Sequence, residues 1–498
     1  MKISIMRTLQ FRNFWSLPRQ LLNSVALLFL CMGAESAIPS GYKIENIQGP
    51  EGTALEVSGL IQLPDNSFQM TTRRGEVWNY ADGKWTLYAR GLHEPHGLVA
   101  GENKGQFYIL QRAELSLLTD EDGDGDADLY ETVGAGWGYS GNYHEYAIGL
   151  VQDNEGNFYG NLGLSFFRNS PFRGTWLGTK DQKYRGWLFK MSPEGKFTPW
   201  ASGLRAPNGL NMNPKGEIFI TDNQGSYLAS GWMTHVKEGD FIGHPDALIW
   251  DDKKKGFVEK ILAMPPEERF KELDKIRKKP AVYFPYPEMG RSCGHPTWDT
   301  TEGKFGPFAG QVFVAEVIDR LIMRVSLEKV GGQYQGACYP FIRDNALGGG
   351  SNRIVFDQRD GSMWVGQTAR GWGSGHGFKK VTWNGTEPMS LKEVSLTKEG
   401  FDLHFTEPLD NTIAMDENKL RIQHHTYAYS NQYGGPKRDR KAVAIQSRKL
   451  SKDGKALSLG IEGLKSGYIY EFECKNFENK EGEKVSFGQA WYNVNQLR

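Results

Sequence analysis

Apolar and polar residues alternate along most of this chain with the period of two that a half-buried strand requires. Gly, Pro, Asn and Asp cut the alternation into short runs. One phrase recurs: an apolar-Gly-Leu start, a turn, then an aromatic-rich strand. It reads "VSGLIQLPDNSFQM" from Val57, "EPHGLVAGENKGQFYIL" from Glu94, "YAIGLVQDNEGNFYG" from Tyr146 and "APNGLNMNPKGEIFI" from Ala206. Weaker copies, "GHPTWDTTEGKFGPFAGQVFVAE" from Gly294 and "GSNRIVFDQRDGSMWVG" from Gly350, bring the number to six. Each copy supplies two strands, and the segments between supply two more. The pattern predicts an all-β chain with a six-bladed β-propeller over residues 43–384, in which ring closure protects the sheet edges. That span allots roughly 57 residues per blade, above the ~40–50 of compact repeats, so long loops and one helical insertion near 262–280 are expected. There "PPEERFKELDKIRKKP" has Pro266 and acids at its start, Lys278 and Lys279 at its end, and Phe270, Leu273 and Ile276 on one face.

The texture changes at Asn384. "GFDLHFTEPLD", "LRIQHHTYAYSNQYGG", "KALSLGIEGL" and "GYIYEFECKNF" are short alternating runs between turns, which predict a small Ig-like β-sandwich over 385–498. At the other end Lys2, Arg7, Arg12 and Arg19 precede the apolar run "VALLFLCMGA", which closes near Ala34, Ser36 and Ala37. Residues 1–36 read as a secretory signal, too short to span a bilayer, and imply a secreted or periplasmic protein with no transmembrane anchor in the mature chain. A lipoprotein anchored through Cys31 is the alternative, with bulky Leu30 against it. The chain carries 59 basic and 59 acidic residues, and without the first 36 residues 55 and 58 remain, so nothing points to a nucleic-acid partner. Cys293, Cys338 and Cys474 then remain, with no C-x-x-C and no haem-attachment motif; in an exported protein Cys293 and Cys338 are a candidate disulfide pair.

The densest run of acids is "TDEDGDGDADLYE", Thr119 to Glu131. From Asp120 it follows the calcium-loop template: Asp120, Asp122 and Asp124 at positions one, three and five, Gly125 at six, Asp126 at seven through its backbone oxygen, Asp128 at nine and Glu131 at twelve. The flanking segments read as strands, so the expected object is a calcium-held strut in an inter-strand loop; a solvated acidic turn is the plain alternative.

In a propeller the residues just before the inner strands gather at one mouth of the axial channel. The repeated phrase puts Ser58, His96, Ile148, Asn208, His295 and Arg353 there, and His144 ("GNYHEYAIGL") and Arg205 ("GLRAPNGL") join them. Such a set suits an anionic ligand and a proton acceptor. Arginine and histidine at strand ends also serve simply to satisfy carbonyls.

The phrases "DEDGDGDAD", "GKFGPFAGQVFVAE", "GGQYQGACYPF", "GQTARGWGSGHG", "FDLHFTEPLD" and "YAYSNQYGGP" resemble those of secreted bacterial propellers related to the glucose/sorbosone dehydrogenases, a group often fused to cytochrome or haem-binding modules. The propeller more distantly resembles the soluble quinoprotein sugar dehydrogenases. That resemblance implies pyrroloquinoline quinone as cofactor, a carbohydrate or other small polar substrate, and an external electron acceptor such as a periplasmic cytochrome. It makes His144 the catalytic base and places Arg205 and Arg353 around the cofactor; Asn208 and His96, put at the same mouth by the repeated phrase, are expected to join them there. Three positions depart from the pattern: Ala206 and Ser351 stand for an asparagine and an arginine, and Ile318 for a lysine, with Arg320 the candidate substitute.

Two other readings stay open. "APNGLNMNPKGEIFITDN" is similar to the P-N-G phrase of the gluconolactonases, which would make Asn208, with Asp222 and Asn223, ligands of a divalent ion in a lactonase or lyase. A non-catalytic carbohydrate-binding scaffold is the other, given 12% aromatic residues.

Overall fold

Each recurring phrase folds into an antiparallel hairpin whose turn is made by the Asn, Asp or Gly between its two halves. The computed structural model describes residues 37–166, 170–172, 177–178, 182–369 and 375–498. The proposed signal segment, Cys31 and residues 370–374 of the "GQTARGWGSGHG" phrase lie outside them.

Six antiparallel blades of four strands surround an axis, five of them separate sheets and one, blade 5, the inner half of an eight-stranded sheet. Blade 1 runs Val57–Gln62, Phe68–Thr72, Val77–Ala81, Lys84–Ala89, and blade 2 runs Gly97–Ala100, Gln106–Leu110, Leu115–Thr119, Leu129–Gly134. Blade 3 is Ala147–Gln152, Phe158–Leu162, Trp187–Met191, Phe197–Ser202. Blade 4 is Pro207–Met212, Ile218–Asp222, Gly231–His235, Val282–Phe284, and blade 5 is Cys293–Trp298, Val312–Glu316, Ile322–Val330, Gln333–Ile342. Blade 6 takes Ser351–Phe356, Met363–Gln367 and Gly377–Trp383, and borrows its outer strand, Tyr42–Ile47, from the beginning of the described chain. The first strand of each blade packs on that of the next, and blade 6 on blade 1, so the ring is closed.

Glycine in the repeated phrase is what allows this crowding. A Cβ on Gly149 would lie 2.7 Å from Leu210 Cβ of the next blade, closer than two carbons can stand. In five of the six inner hairpins the register slips near the start of the first strand, at Val57/Gly59, Ile148/Val151, Pro207/Gly209, Cys293/Pro296 and Ser351/Arg353. Such bulges re-aim side chains, here those of Ser58, Asn208, His295 and Asn352.

The C-terminal part is two facing sheets. One is ordered Leu391–Leu396, Gly400–Phe405, Ala456–Ile461, Ile445–Leu450; the other continues outward from blade 5, with Gln333–Ile342 pairing Gln489–Val494, then Tyr468–Cys474, Leu420–Tyr427 and Lys437–Ala442. Phe401, Leu403, Leu457, Phe472 and Tyr492 fill the space between, each such fully buried apolar side chain contributing roughly 1.5–3 kcal/mol.

Two expectations need correction. The insertion comprises two helices, Lys255–Leu262 and Pro266–Ile276, and of the expected apolar face only Leu273 is buried, with Ile276 left 40% exposed. Val258 and Ile261 of the first helix complete the contact. Cys293 and Cys338 are free thiols, as is Cys474, and all three are buried. Cys293 lies on the innermost strand of blade 5 and Cys338 on the outermost, with two strands between them. At ~4.8 Å per strand, that exceeds the roughly 7 Å a disulfide spans between Cα atoms. No helix among the described residues is long and apolar enough to cross a membrane.

Candidate functional site

A cavity of about 520 Å³ opens where blades 3, 4 and 5 meet at the mouth of the ring. Blade 3 contributes His144 and Phe166 and blade 4 Arg205, Ala206, Asn223 and Gln224; Arg291, Ser292 and Ile318 come from blade 5 and Tyr433 from the sandwich. A larger recess of about 580 Å³ lies on the sandwich edge among Arg421, Arg448 and Lys475 and contains no histidine.

His144 is 5% exposed and sits in a tightly held loop. Asn142 Oδ1 accepts from the backbone N–H of His144 (3.1 Å) and of Phe166 (3.0 Å), and Asn142 Nδ2 donates to Phe166 O (2.7 Å). Arg112, paired with Glu94 at 2.7 Å, donates to the carbonyls of Ser140 and Asn142. Glu145 accepts from the Ser140 and Ser165 hydroxyls (3.0 and 2.5 Å). Arg185, fully buried, donates to Gly163 O (2.7 Å) and Tyr146 O (2.5 Å), and burial pushes its pKa down to about 9. The imidazole of His144 packs on Phe166 with ring centroids 3.8 Å apart, and its Nδ1 lies 3.4 Å from Leu164 O.

Arg205 is 6% exposed, and its guanidinium carbon lies 5.2 Å from the Tyr433 ring centre. Burial lowers its pKa, opposed by Tyr433 and by Asp222. Asp222 accepts the backbone N–H groups of Arg205 (2.7 Å), Ala206 (2.9 Å) and Asn223 (2.7 Å) and so shapes the loop entering blade 4. Burial carries its pKa up to about 6 against those donors. Arg291 donates to Asp319 at 3.1 Å and lies over the Tyr286 ring. The Nε of Arg205, the Nε of Arg291 and Oδ1 of Asn223 are buried without a hydrogen-bond partner.

The other expected residues are on the axis rather than in the cavity wall. Arg353 donates through Nε to Ser58 O (2.7 Å) and through Nη1 to Asn208 O (3.1 Å) and Asn352 Oδ1 (2.8 Å), tying blades 1, 4 and 6. Asn208 Nδ2 donates to the same Asn352 oxygen at 3.0 Å. His96 stands edge-on to Tyr146 with centroids 5.0 Å apart. His295 is held well below the usual imidazole pKa by burial, with Arg353 adding to the effect. A guanidinium on the Asn208 carbonyl puts positive charge where a divalent ion on Asn208 would sit, and Asp222 is turned to backbone donors; this arrangement disfavours the gluconolactonase-type metal site.

Sequence reasoning missed Arg291 and Tyr433. Arg291 stands two residues before Cys293, outside the repeated phrase, and Tyr433 comes from a hairpin of the other domain. Arg320, the expected substitute for the missing lysine, is exposed and does not line the cavity, whereas Ile318 and Ala206 do.

The acidic loop joins the third and fourth strands of blade 2. Carboxylate oxygens of Asp120, Asp122 and Asp124 lie within 4.8 Å of one another. Asp120 also caps the N–H groups of Gly123 (2.7 Å) and Gly125 (3.0 Å), while Asp128 accepts from Glu121 N–H at 2.8 Å. Asp126 is exposed, and Glu131 lies exposed on the strand Leu129–Gly134 opposite Leu117. Among the described residues, the three aspartates at 120–124 are the one group of acids, histidines or cysteines close enough to share an ion.

The sequence profile of a family described as Domain of unknown function (DUF7133) matches residues 81–340, just over half of the chain. The chain belongs to that family. A comparison with curated proteins finds no match. Among solved structures, an oxidoreductase (glucose dehydrogenase) from Thermus thermophilus is similar over 68% of this chain and 100% of its own length, with 16% identity and a TM-score of 0.50. The PQQ-bound aldose sugar dehydrogenase of Streptomyces coelicolor aligns over 69% of this chain and 99% of its own at 13% identity and a TM-score of 0.50. At this level of identity the likeness bears on the fold alone, and it agrees with the ring of blades described above.

Proposed function

We propose that this protein is an exported carbohydrate dehydrogenase that binds a quinone of the pyrroloquinoline quinone type and passes electrons to an external acceptor, a periplasmic cytochrome. The observation that carries the reading is the convergence of His144, Arg205 and Arg291 on one cavity. Two guanidinium groups, each with a buried Nε lacking an acceptor, suit a rigid ring bearing several carboxylates, because arginine forks bind carboxylates with charge-assisted hydrogen bonds. The quinone, when bound, supplies the acceptor for the hydride leaving the carbinol carbon.

The chain's own residues do the rest. With the Nδ1–H of His144 directed at the Leu164 carbonyl, Nε2 carries the lone pair that takes the hydroxyl proton. The Asn142–Arg112–Glu145 framework holds that imidazole in place. Phe166, Ala206 and Ile318 give the cavity apolar wall that limits water. By the same reading Asp120, Asp122 and Asp124 hold a calcium ion that stiffens the blade 2 loop.

Fluorescence titration with pyrroloquinoline quinone, followed by dye reduction with a panel of aldoses, tests this. Bound quinone with aldose-dependent reduction, lost in His144→Ala, is the expected result. A second reading, carbohydrate binding without turnover, draws on the commitment of Arg353 to the axis. Saccharide binding with no quinone uptake would favour it.

A further inference from the structure

The hairpin joining Leu420–Tyr427 to Lys437–Ala442 of the sandwich is folded back onto the propeller. Its backbone is stitched to blade 4: Tyr227 N–H donates to Ser430 O (2.9 Å) and Gly434 N–H to Gly225 O (3.1 Å). Tyr429 is wedged between Tyr227, 5.3 Å away by ring centroids, and the Arg277 guanidinium, 4.9 Å from its ring centre, and its hydroxyl donates to Gly243 O. With both ends of the loop anchored, Tyr433 is presented at the cavity with 55% of its surface exposed. It is the most exposed of the large apolar side chains among the described residues. One face of its ring is backed by the Arg205 guanidinium. Beside it Asn223 Oδ1, in a side chain only 7% exposed, has no donor.

We propose that Tyr433 is a substrate-stacking platform lent to the propeller by the C-terminal sandwich, and that its ligand is the ring of a neutral saccharide. A flat aromatic face fixed from behind by a cation loses little freedom on meeting a second ring, and it covers apolar C–H surface while leaving the hydroxyl groups at the rim. Oδ1 of Asn223 is an acceptor in want of a donor, which a sugar hydroxyl supplies and a carboxylate does not. The two features together select a polyhydroxylated ring over an anionic one at this end of the cavity. The inference deepens the carbohydrate part of the function proposed above and is independent of the quinone.

Calorimetric titration of the purified chain with a panel of mono- and disaccharides, with and without pyrroloquinoline quinone, tests it. The expected result is that wild type binds at least one saccharide, that Tyr433→Ala weakens it by about tenfold or more, and that Tyr433→Phe stays within about threefold of wild type. Because Tyr433 is largely exposed, thermal unfolding of both variants should match wild type, and quinone affinity measured by fluorescence should change less than saccharide affinity. Saccharide binding unaltered in Tyr433→Ala would overturn the assignment, as would failure of the wild type to bind any saccharide in either state. Failure to bind quinone, with the Tyr433 effect intact, sinks the dehydrogenase and leaves the platform standing.

Discussion

The guanidinium of Arg205 occupies the space that a side chain on residue 225 would fill: a Cβ built on Gly225 falls 1.8 Å from Arg205 Nε. Gly225 also fixes the sandwich hairpin through its carbonyl, so one glycine both seats the cavity's buried cation and anchors the loop that carries its aromatic cover. Gly225→Ala should therefore expel Arg205 without touching the ring's hydrogen bonds. We expect ligand affinity to fall by about tenfold to a hundredfold, the worth of one charge-assisted contact, while the melting temperature drops by only a few degrees. Unchanged quinone or saccharide affinity in this variant would show that Arg205 does not contact the ligand.

Arg291 and Arg353 should separate cleanly. Arg291→Ala removes a cavity guanidinium and is expected to weaken quinone binding by roughly 1.5–3 kcal/mol with little effect on unfolding. Arg353→Ala leaves the carbonyls of Ser58 and Asn208 short of a donor in the centre of the ring, at a cost of about 3 kcal/mol or more in stability. Paired denaturant and binding titrations distinguish the two; equal effects on both observables would refute the division into wall and axis.

Asp246 predicts a pH dependence. Its side chain is fully buried near Tyr227, with Ser170 Oγ donating to Oδ1 at 2.6 Å and Oδ2 without a partner. Burial raises its pKa to about 7, against the hydrogen bond from Ser170. A carboxyl whose folded pKa is raised holds its proton longer in the folded than in the unfolded chain. Its contribution to stability is greatest below its unfolded pKa of roughly 4 and declines as the pH climbs toward 7. Asp246→Asn removes that slope, so the variant should gain on wild type by up to a few kcal/mol between pH 4 and 8. Chemical denaturation across that range checks it, and a constant difference would place the Asp246 pKa near its ordinary value.

Calcium should stabilise the chain through the acidic loop. At a free concentration a hundred times its Kd, the ion adds about 2.7 kcal/mol. Chelation is expected to lower the melting temperature, and Asp122→Ala, which removes one of the three clustered carboxylates, to abolish the response. Identical melting curves with calcium and with chelator would leave the loop as a solvated turn.

The architecture is largely legible in the sequence because its signals are local. All six recurring phrases fall on the two inner strands of one blade each, since alternation, turn residues and the glycine at the crowded axis are written within one short stretch of chain. His144 and Arg205 are recognisable by their position just before an inner strand. That same position misdirects the reading of Arg353: an arginine there looks alike in sequence whether a bulge sends it down the axis or the loop turns it to the cavity. Arg291 and Tyr433 are invisible at that level, because only the tertiary course of the chain brings a blade 5 loop and a sandwich hairpin against blade 4. The Cys293–Cys338 pairing fails for a related reason: two cysteines assigned to one blade are neighbours in the count of residues, yet they lie on its opposite edges.

Blade 6 is finished by Tyr42–Ile47, the earliest strand of the described chain. During synthesis this strand emerges long before its partner, Gly377–Trp383, and must stay unpaired while five blades accumulate behind it. Ring closure is thus a late event that joins the two ends of the propeller. A nascent chain stalled before residue 383 would hold open sheet edges at both ends, the species most exposed to misassembly and to chaperone capture.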